Sequence, residues 1–586
     1  MQNFADQCQV QRERVDRWSA GLVGALLVLM AALLGRVAQL KLAADPKLEQ
    51  SVGTVTSSRI EMGRRGDLID ARGRPLATST VGYRLFVDPT QVQEPLTIAA
   101  DLANVIGSNP IDIDRKIMDR PGRRYVVIDD LLDDAQVDAV RRANLRGVGL
   151  ERRLVRQATN ASVASMLVGF VGAEHTGLSG FELAFDNELE PIDGRMTYLR
   201  DVARQALWIQ PSGYQPAIDG ESVQLSIDMV IQEIADRHLR EAIKKNNAGG
   251  GRVVVLDSAS GEILALCDVL NPRKGWDEAT SDPLRLQNPG LGRNRCVTDP
   301  YEPGSTFKPF VWSVATDLGR ARLDEMLDTP ESVGYRTKSG RLIRDAHYYG
   351  RQNWRTVLVK SINAGMAIVA ERMTVAEMQS VMTRFGFGTK TNCGIPGESA
   401  GIVTSPKDWT IYSQVSVSFG QEVSVTPVQM VRAFSAFARD GTMPALRITP
   451  TPPDPPRYQF EHRVLRPEIA MLTREVMRDV MQQGTGRASQ SEKYQLFGKS
   501  GTAQLPRKDG KGYHQDRYVS SFIAGAPFSS PRIVVLCVID DPDRRIAHYG
   551  GVVAGPVVRD IIDETLGYLG VPAELEADPS HLAVAR

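Results

Sequence analysis

A chain of 586 residues is too long for a single hydrophobic core, so at least two folded units are expected. Apolar residues make up 42% and charged residues 24%, the balance of a globular chain. Seventy basic and seventy acidic residues cancel, so no net field draws the chain to nucleic acid or to an acidic surface, and no nucleic-acid partner is expected.

The five cysteines (Cys8, Cys267, Cys296, Cys393 and Cys537) form no CxxC or other short pair. That argues against a zinc ribbon or a redox pair, and the reading is buried single thiols, with a disulfide between distant cysteines left open. The seven histidines show no HExxH spacing, so no metal site is expected.

In chain order, the first predicted element is a membrane helix. Residues 18–34 (WSAGLVGALLVLMAALL) carry no charge, and Gly35, Val37, Ala38 and Leu40 extend the run to an anchor over 18–40. Arg36 lies near one end, where its charge can reach the interface. Arg12, Arg14 and Arg17 precede the span and place residues 1–17 inside the cell, with the rest outside. The alternative is a cleaved signal peptide, but the run exceeds most such cores and no small-x-small site follows it directly.

Residues 41–222 mix short apolar alternations with turn signals and read as a pedestal. Arg64-Arg65-Gly66-Asp67-Leu68-Ile69-Asp70-Ala71-Arg72-Gly73-Arg74-Pro75-Leu76-Ala77 suggests two turns around a short strand, with Arg65 and Asp70 as a candidate buried pair. Gly177-Leu178-Ser179-Gly180-Phe181-Glu182 suggests a tight turn in which Glu182 caps or pairs nearby. Both stretches look structural.

The texture changes near residue 223. Val223-Gln224-Leu225-Ser226-Ile227 alternates like a strand, and Asp228 fits the N-cap of a helix from Met229. Gly249-Gly250-Gly251 reads as flexible punctuation. Residues 252–257 and 263–267 flank Ser258-Ala259-Ser260-Gly261 as a hairpin, and a central sheet is expected from here on.

Three motifs follow. In Tyr301-Glu302-Pro303-Gly304-Ser305-Thr306-Phe307-Lys308, the turn puts Ser305 at a helix N-terminus, with Lys308 one turn later on the same face. A serine hydroxyl is a weak nucleophile; a desolvated lysine with a free amine can serve as its base. Ser361-Ile362-Asn363 comes 56 residues after Ser305, between two apolar segments that read as helices around an exposed loop. Ser361 can relay a proton and Asn363 can bond a substrate amide. Lys499-Ser500-Gly501-Thr502 is expected on a strand facing the nucleophile, with residues 519–523 and 533–538 as neighbouring strands. Gly501 permits close approach of an extended peptide, Lys499 offers charge to a carboxylate, and Ser500 or Thr502 offers a hydroxyl.

Each motif alone is common by chance. Together and in this order they are the serine β-lactamase and penicillin-binding set. The chain resembles the class B penicillin-binding proteins, which are peptidoglycan transpeptidases without a glycosyltransferase domain. The likeness runs from the anchor to about Val571, and the two pedestal stretches resemble the family's Arg-Gly and Gly-x-x-Gly-x-Glu signatures. Arg293-Asn294-Arg295 and Val425-Thr426-Pro427-Val428-Gln429 also fit. Tyr-Glu-Pro-Gly before the serine is closer to the septal branch than to the elongation branch. Lys-Ser-Gly replaces Lys-Thr-Gly and keeps a hydroxyl. Gly420-Gln421-Glu422 stands where many members have Gly-Gln-Gly, so a different local backbone is expected there.

The resemblance implies an α+β multidomain chain: a single N-terminal transmembrane helix, an elongated mixed α/β pedestal over 41–222, and a penicillin-binding transpeptidase domain over 223–572 with a central antiparallel sheet flanked by helices, then a polar tail over 573–586. It implies Ser305, Lys308 and Ser361 as catalytic residues and Asn363, Lys499, Ser500, Gly501 and Thr502 as substrate-binding residues, without metal or organic cofactor. Peptidoglycan stem peptides are the implied substrates and β-lactams the inhibitors. The implied setting is the inner membrane, crossed once with the catalytic domain outside, beside a membrane glycosyltransferase and other division proteins. Two rivals use the same fold: a D,D-carboxypeptidase or β-lactam hydrolase, and a non-catalytic division scaffold or β-lactam sensor.

Overall fold

The computed structural model describes residues 2–42, 56–120, 122–159, 161–172, 175–200, 206–272, 282–451, 461–507 and 512–575. The chain forms two compact units: Met1–Arg64 with Pro191–Asp219, and Arg65–Glu190 with Gly220–Arg586. In the first, the helix Gln2–Leu42 contains a segment, Arg14–Gln39, that is long and apolar enough to cross a membrane (mean hydropathy 2.2). The apolar side chains of Arg14–Gln39 are exposed, as a lipid-facing helix requires. The unit also holds an antiparallel sheet in which Thr56–Glu61 pairs with Gly194–Arg200, which in turn pairs with Ala206–Gln215.

The second unit contains two five-stranded sheets. In one, the long strand Pro75–Val87 pairs with Val148–Ala158, Val126–Leu132 and Leu68–Ile69. Val223–Gln224 joins its edge parallel to Leu68–Ile69. The alternation at 223–227 therefore marks a strand of this sheet and not of the central one, and it is only two residues long. Asp228 caps the helix Met229–Lys245 as expected, its side chain accepting from the Val230 N–H (3.0 Å).

The two signature stretches meet in one buried ion network. Arg65 Nε donates to Glu182 Oε2 (2.7 Å), and Arg156 Nε donates to Glu182 Oε1 (2.7 Å). Arg65 also bonds the carbonyls of His175 and Glu182 and pairs with Asp186. The expected Arg65–Asp70 pair is not formed. Asp70 is spent on its own turn: it accepts from the N–H groups of Arg72 and Arg74 and from Arg74 Nε (2.7 Å), and Arg74 reaches on to Asp228. Glu182 is fully buried. Glu182→Ala should leave the buried Arg156 guanidinium without its carboxylate and Arg65 with Asp186 alone, and cost about 3–5 kcal/mol. The check is the denaturant midpoint of the variant against wild type, at unchanged m-value.

The other sheet is the central one. We label its strands β1 (Gly250–Asp257), β2 (Ile263–Leu270), β3 (Phe497–Pro506), β4 (Tyr513–Ala526) and β5 (Ile533–Asp540). The order is β2-β1-β5-β4-β3, antiparallel throughout. Residues of β1 and β5 are apolar on both faces because both faces are covered. Val253, Val255 and Cys537 pack toward the helices Met229–Lys245 and Gly555–Tyr568. Val254, Leu256 and Leu536 face a larger core containing Phe307, Phe310, Trp312 and Phe434. Gly250 and Gly251 are buried strand residues rather than a flexible break: a Cβ at Gly250 would stand 2.6 Å from the Val269 carbonyl, and one at Gly251 2.7 Å from Leu239 Cδ1. Cys267, Cys296, Cys393 and Cys537 are buried free thiols, pushed toward the protonated form by burial. β3 forms the sheet's edge and carries the third motif.

Candidate active site

Ser305 stands on a 3-10 turn, Gly304–Phe307, that runs directly into the helix Lys308–Asp317. Three residues per turn bring positions i and i+3 into line, so Lys308 lies beneath Ser305. Gly304 takes φ +54°, a conformation glycine adopts without strain, and its N–H bonds the Gly420 carbonyl (3.0 Å). The Phe307 and Phe310 rings pack on Phe387 (centroids 5.1 and 5.2 Å apart) and seat the helix start in the core. Ser305 remains partly exposed, while Lys308 is 0% exposed.

The second motif sits where the helix Trp354–Val359 hands over to Asn363–Ala370. The junction is not an exposed loop: Ser361 and Asn363 are half-buried and Ile362 is buried. Ser361 has φ +59°, a left-handed conformation that costs a non-glycine residue about 1–2 kcal/mol. The conformation turns its carbonyl onto Lys308 Nζ (2.7 Å). The amine also meets Asn363 Oδ1 (2.6 Å) and Ser361 Oγ (3.2 Å). An ammonium would donate to all three; a neutral amine keeps two N–H bonds and a lone pair, which the Ser361 hydroxyl then fills. Burial pushes the Lys308 amine down from 10.5 to about 7, against the nearby charge of Asp345. A free amine is therefore abundant at neutral pH.

The third motif lies on β3 as expected. Lys499 is 0% exposed and bonds the Ser500 carbonyl (3.0 Å) and Thr485 Oγ1 (3.5 Å). Burial, then the neighbouring Lys308, lower its proton affinity well below the ordinary lysine value. Ser500 Oγ donates to Thr485 Oγ1 (2.8 Å). Thr502 Oγ1 accepts the Gly550 N–H (3.0 Å), which leaves its own hydrogen to donate. A Cβ at Gly501 would fall 2.7 Å from the Pro303 carbonyl, so β3 and the nucleophile turn are in close contact.

Glu302, Tyr513, Asp345 and Thr485, to which the motifs give no role, complete the surroundings. Glu302 Oε1 accepts from the Glu422 N–H (3.0 Å) and the Tyr513 hydroxyl (3.0 Å), tying the nucleophile turn to the loop after Gly420 and to β4. Glu422 takes φ +60°, a region open to glycine, and its carboxylate accepts from Ser413 Oγ (2.5 Å), so its side chain does not exclude that backbone. Asp345 bonds the N–H groups of Asn363 and Ala364. Burial raises the carboxyls of Glu302 and Asp345 above their ordinary values. Thr485 bridges Lys499 and Ser500. Of these, Glu302 stood inside a quoted motif; the others carry no spacing signal.

The sequence model described as "Penicillin binding protein transpeptidase domain" matches residues 251–563, and "Penicillin-binding Protein dimerisation domain" matches residues 60–225. The chain is 31% identical over 561 residues to the probable peptidoglycan D,D-transpeptidase PenA of Neisseria gonorrhoeae, covering 93% of this chain and 92% of that protein. It is 29% identical over 559 residues to the peptidoglycan D,D-transpeptidase FtsI of Escherichia coli K12, covering 94% and 91%. A peptidoglycan synthetase from Bifidobacterium adolescentis superposes with a TM-score of 0.66 at 25% identity, over 89% of this chain and 98% of that one. Penicillin-binding protein 3 from Mycobacterium tuberculosis, complexed with aztreonam, shares the fold with a TM-score of 0.64 at 24% identity, over 88% and 98%. With the transpeptidase match covering more than half of its length and a dimerisation match ahead of it, the chain belongs to the class B penicillin-binding proteins.

Proposed function

We propose that this protein is a serine D,D-transpeptidase that cross-links peptidoglycan stem peptides through an acyl-Ser305 intermediate, and that β-lactams acylate the same serine. The observation that carries the reading is a fully buried Lys308 amine one turn from Ser305, bound by Ser361 and Asn363 of the second motif. Ser305 Oγ attacks the carbonyl of the penultimate D-alanine while Lys308 takes its proton. The Ser361 hydroxyl, bonded to the amine, and Lys499 pass a proton to the departing D-alanine. Lys499, Ser500 and Thr502 hold the terminal carboxylate, Gly501 lets the peptide lie against β3, and Asn363 bonds a substrate amide. The backbone N–H groups of Ser305 and Thr502 bind the oxyanion, a preorganised contribution of several kcal/mol. An amine of a second stem peptide then attacks the acyl carbonyl, forming the cross-link and freeing Ser305.

The same reading divides the chain into an inner tail (1–17), an anchor (18–40), a pedestal (41–222), a transpeptidase domain (223–572) and a polar tail (573–586). It places the catalytic domain on the outer side of the cytoplasmic membrane, in septal wall synthesis beside a membrane glycosyltransferase and other division proteins. Fluorescent penicillin should label the wild-type protein covalently and leave Ser305→Ala unlabelled, a loss of at least about 1000-fold in a step that depends wholly on the nucleophile. Specific, stable labelling of the alanine variant would move the nucleophile elsewhere.

A further inference from the structure

We propose that the outer edge of β2, opposite the edge that carries the third motif, is a second binding site, which takes a small carboxylate of dipeptide size. The proposal goes beyond the transpeptidase reading and does not depend on it.

β2 and β3 are the two edges of the central sheet, four strand spacings or about 19 Å apart. An edge strand turns the N–H and C=O of every second residue away from its neighbour. On β2 these are the even-numbered residues. The Leu264 carbonyl accepts the Asp228 N–H (3.0 Å). Leu266 is held twice by the Gln232 side-chain amide, which accepts its N–H (2.8 Å) and donates to its carbonyl (3.1 Å). That amide does what the peptide group of a neighbouring strand would do. One repeat further on, the cover is incomplete. The Asp268 carbonyl accepts Arg285 Nη2, but among the described residues the outward N–H groups of Asp268 and Leu270 have no acceptor. Residues 266–270 line a cavity of about 280 Å³. Its other walls are the helix Ala161–Val168, through Ser165–Leu167, the Gln232–Asp236–Arg240 face of the helix Met229–Lys245, and the segment from Arg285 to Pro289.

The charges around the cavity are unevenly matched. Asp268 is held by the buried Arg295: Oδ1 accepts Arg295 Nε (2.9 Å) and Nη2 (2.7 Å), and Oδ2 accepts the Arg295 N–H (2.9 Å). Arg285 is the second arginine on this carboxylate. Its Nη1 lies 3.2 Å from Asp268 Oδ2 and, among the described residues, makes no hydrogen bond. Burial lowers the proton affinity of Arg285 further than Asp268 restores it, so the cation lacks a full counter-charge. Asp236 accepts Arg240 Nε through Oδ2 (2.6 Å), which leaves Oδ1 for a ligand ammonium. The wall therefore offers a guanidinium for a carboxylate, strand N–H groups for an amide carbonyl and a carboxylate oxygen for an amine. Asp268 and Leu270 stand two residues apart, about 6.8 Å, the repeat that one dipeptide spans. The cavity volume falls at the small end of ligand pockets, which excludes a longer peptide.

The test is equilibrium dialysis of radiolabelled D-alanyl-D-alanine against the full-length protein in detergent, with Ser305 first acylated by penicillin to close the catalytic site. One saturable site per chain is expected. Arg285→Gln should weaken it at least about tenfold, the effect of losing a hydrogen bond to a charged group. Leu286→Trp, which sets an indole at the cavity rim, should do the same. Leu286 is 71% exposed, so this variant tests the site even if Arg285→Gln does not fold. D-Alanine, which lacks the amide, should bind at least about tenfold more weakly. No saturable binding to the acylated protein, unchanged binding in Leu286→Trp, or D-alanine bound as tightly as the dipeptide would each overturn the proposal. A protein that penicillin fails to acylate would overturn the transpeptidase reading instead, because the same dialysis on Ser305→Ala, with and without Leu286→Trp, still reads the β2 site.

Discussion

Gly501→Ala is expected to lower the acylation rate constant by about 100-fold or more in a protein that still folds. A Cβ at this position would stand 2.5 Å from Ser521 Oγ, 2.7 Å from the Pro303 carbonyl oxygen and 2.9 Å from Thr306 Cγ2. Ser521 lies directly across the ladder on β4 and can turn its hydroxyl aside. The Pro303 carbonyl cannot move so cheaply. It belongs to the turn that presents Ser305, and it already accepts the Thr306 hydroxyl (2.7 Å). On the other side Gly550 leaves β3 no room to retreat, since a Cβ there would come 2.1 Å from the Gly501 carbonyl. The added methyl must therefore separate the nucleophile turn from the strand that carries Lys499 and Thr502. A shift of about 1 Å between reacting groups costs on the order of 100-fold, while overpacking costs about 1–3 kcal/mol of stability. Thermal unfolding and fluorescent-penicillin kinetics on the same preparation separate the two. Acylation within a few fold of wild type would show that β3 and the turn are not in rigid contact.

The parts of this site legible in the sequence are those whose chemistry is local. Ser305 and Lys308 are three residues apart on one turn, and the strand bearing Lys499 follows an apolar approach and is followed by two more strands. Short apolar runs bounded by turn residues likewise announced β1, β2 and β5. The alternation at 223–227 did not say which sheet it joins, because periodicity describes a strand's faces and not its neighbours. Arg65 pairs with a residue other than the expected one for a related reason. Asp70 is near in sequence but is consumed by its own turn, whereas Glu182 lies 117 residues away and is reached only through the fold. Asp345 and Tyr513 are invisible for that reason too: an isolated acid or phenol in a loop has no spacing to betray it. The glycines at 250 and 251 looked like punctuation, but their lack of a side chain serves packing.

Lys308→Met should abolish acylation and yet leave the protein at least as stable as wild type near pH 7. The amine is 0% exposed and its proton affinity is pushed from 10.5 to about 7 by burial. In the unfolded chain the lysine holds its proton up to about pH 10.5, but in the folded protein it gives that proton up at about 7. Between those values the unfolded state binds more protons, so the stability of the wild-type fold rises with pH across that window. Below pH 7 the full penalty applies, and a displacement of this size corresponds to about 5 kcal/mol. Methionine fills a similar volume without the charge. Against that gain, the Ser361 carbonyl and hydroxyl and Asn363 Oδ1 lose their donor, each at about 1 kcal/mol or more. The net expectation is about 1–2 kcal/mol in favour of the variant near neutral pH, shrinking by about 1.4 kcal/mol per pH unit above 7 and changing sign between about pH 8 and 9, because the wild type recovers what it had lost. Buried Lys499 adds a slope of the same sign to both proteins, so only the difference between them reports on Lys308. Denaturant unfolding at several pH values measures it. A variant destabilised equally at pH 7 and pH 10 would mean that the lysine is folded as a paired ammonium, which could not act as the base for Ser305. A gain confined to the neutral range would mean that the fold carries an unfavourable group because the reaction needs a neutral amine there, a cost that stability alone would have removed.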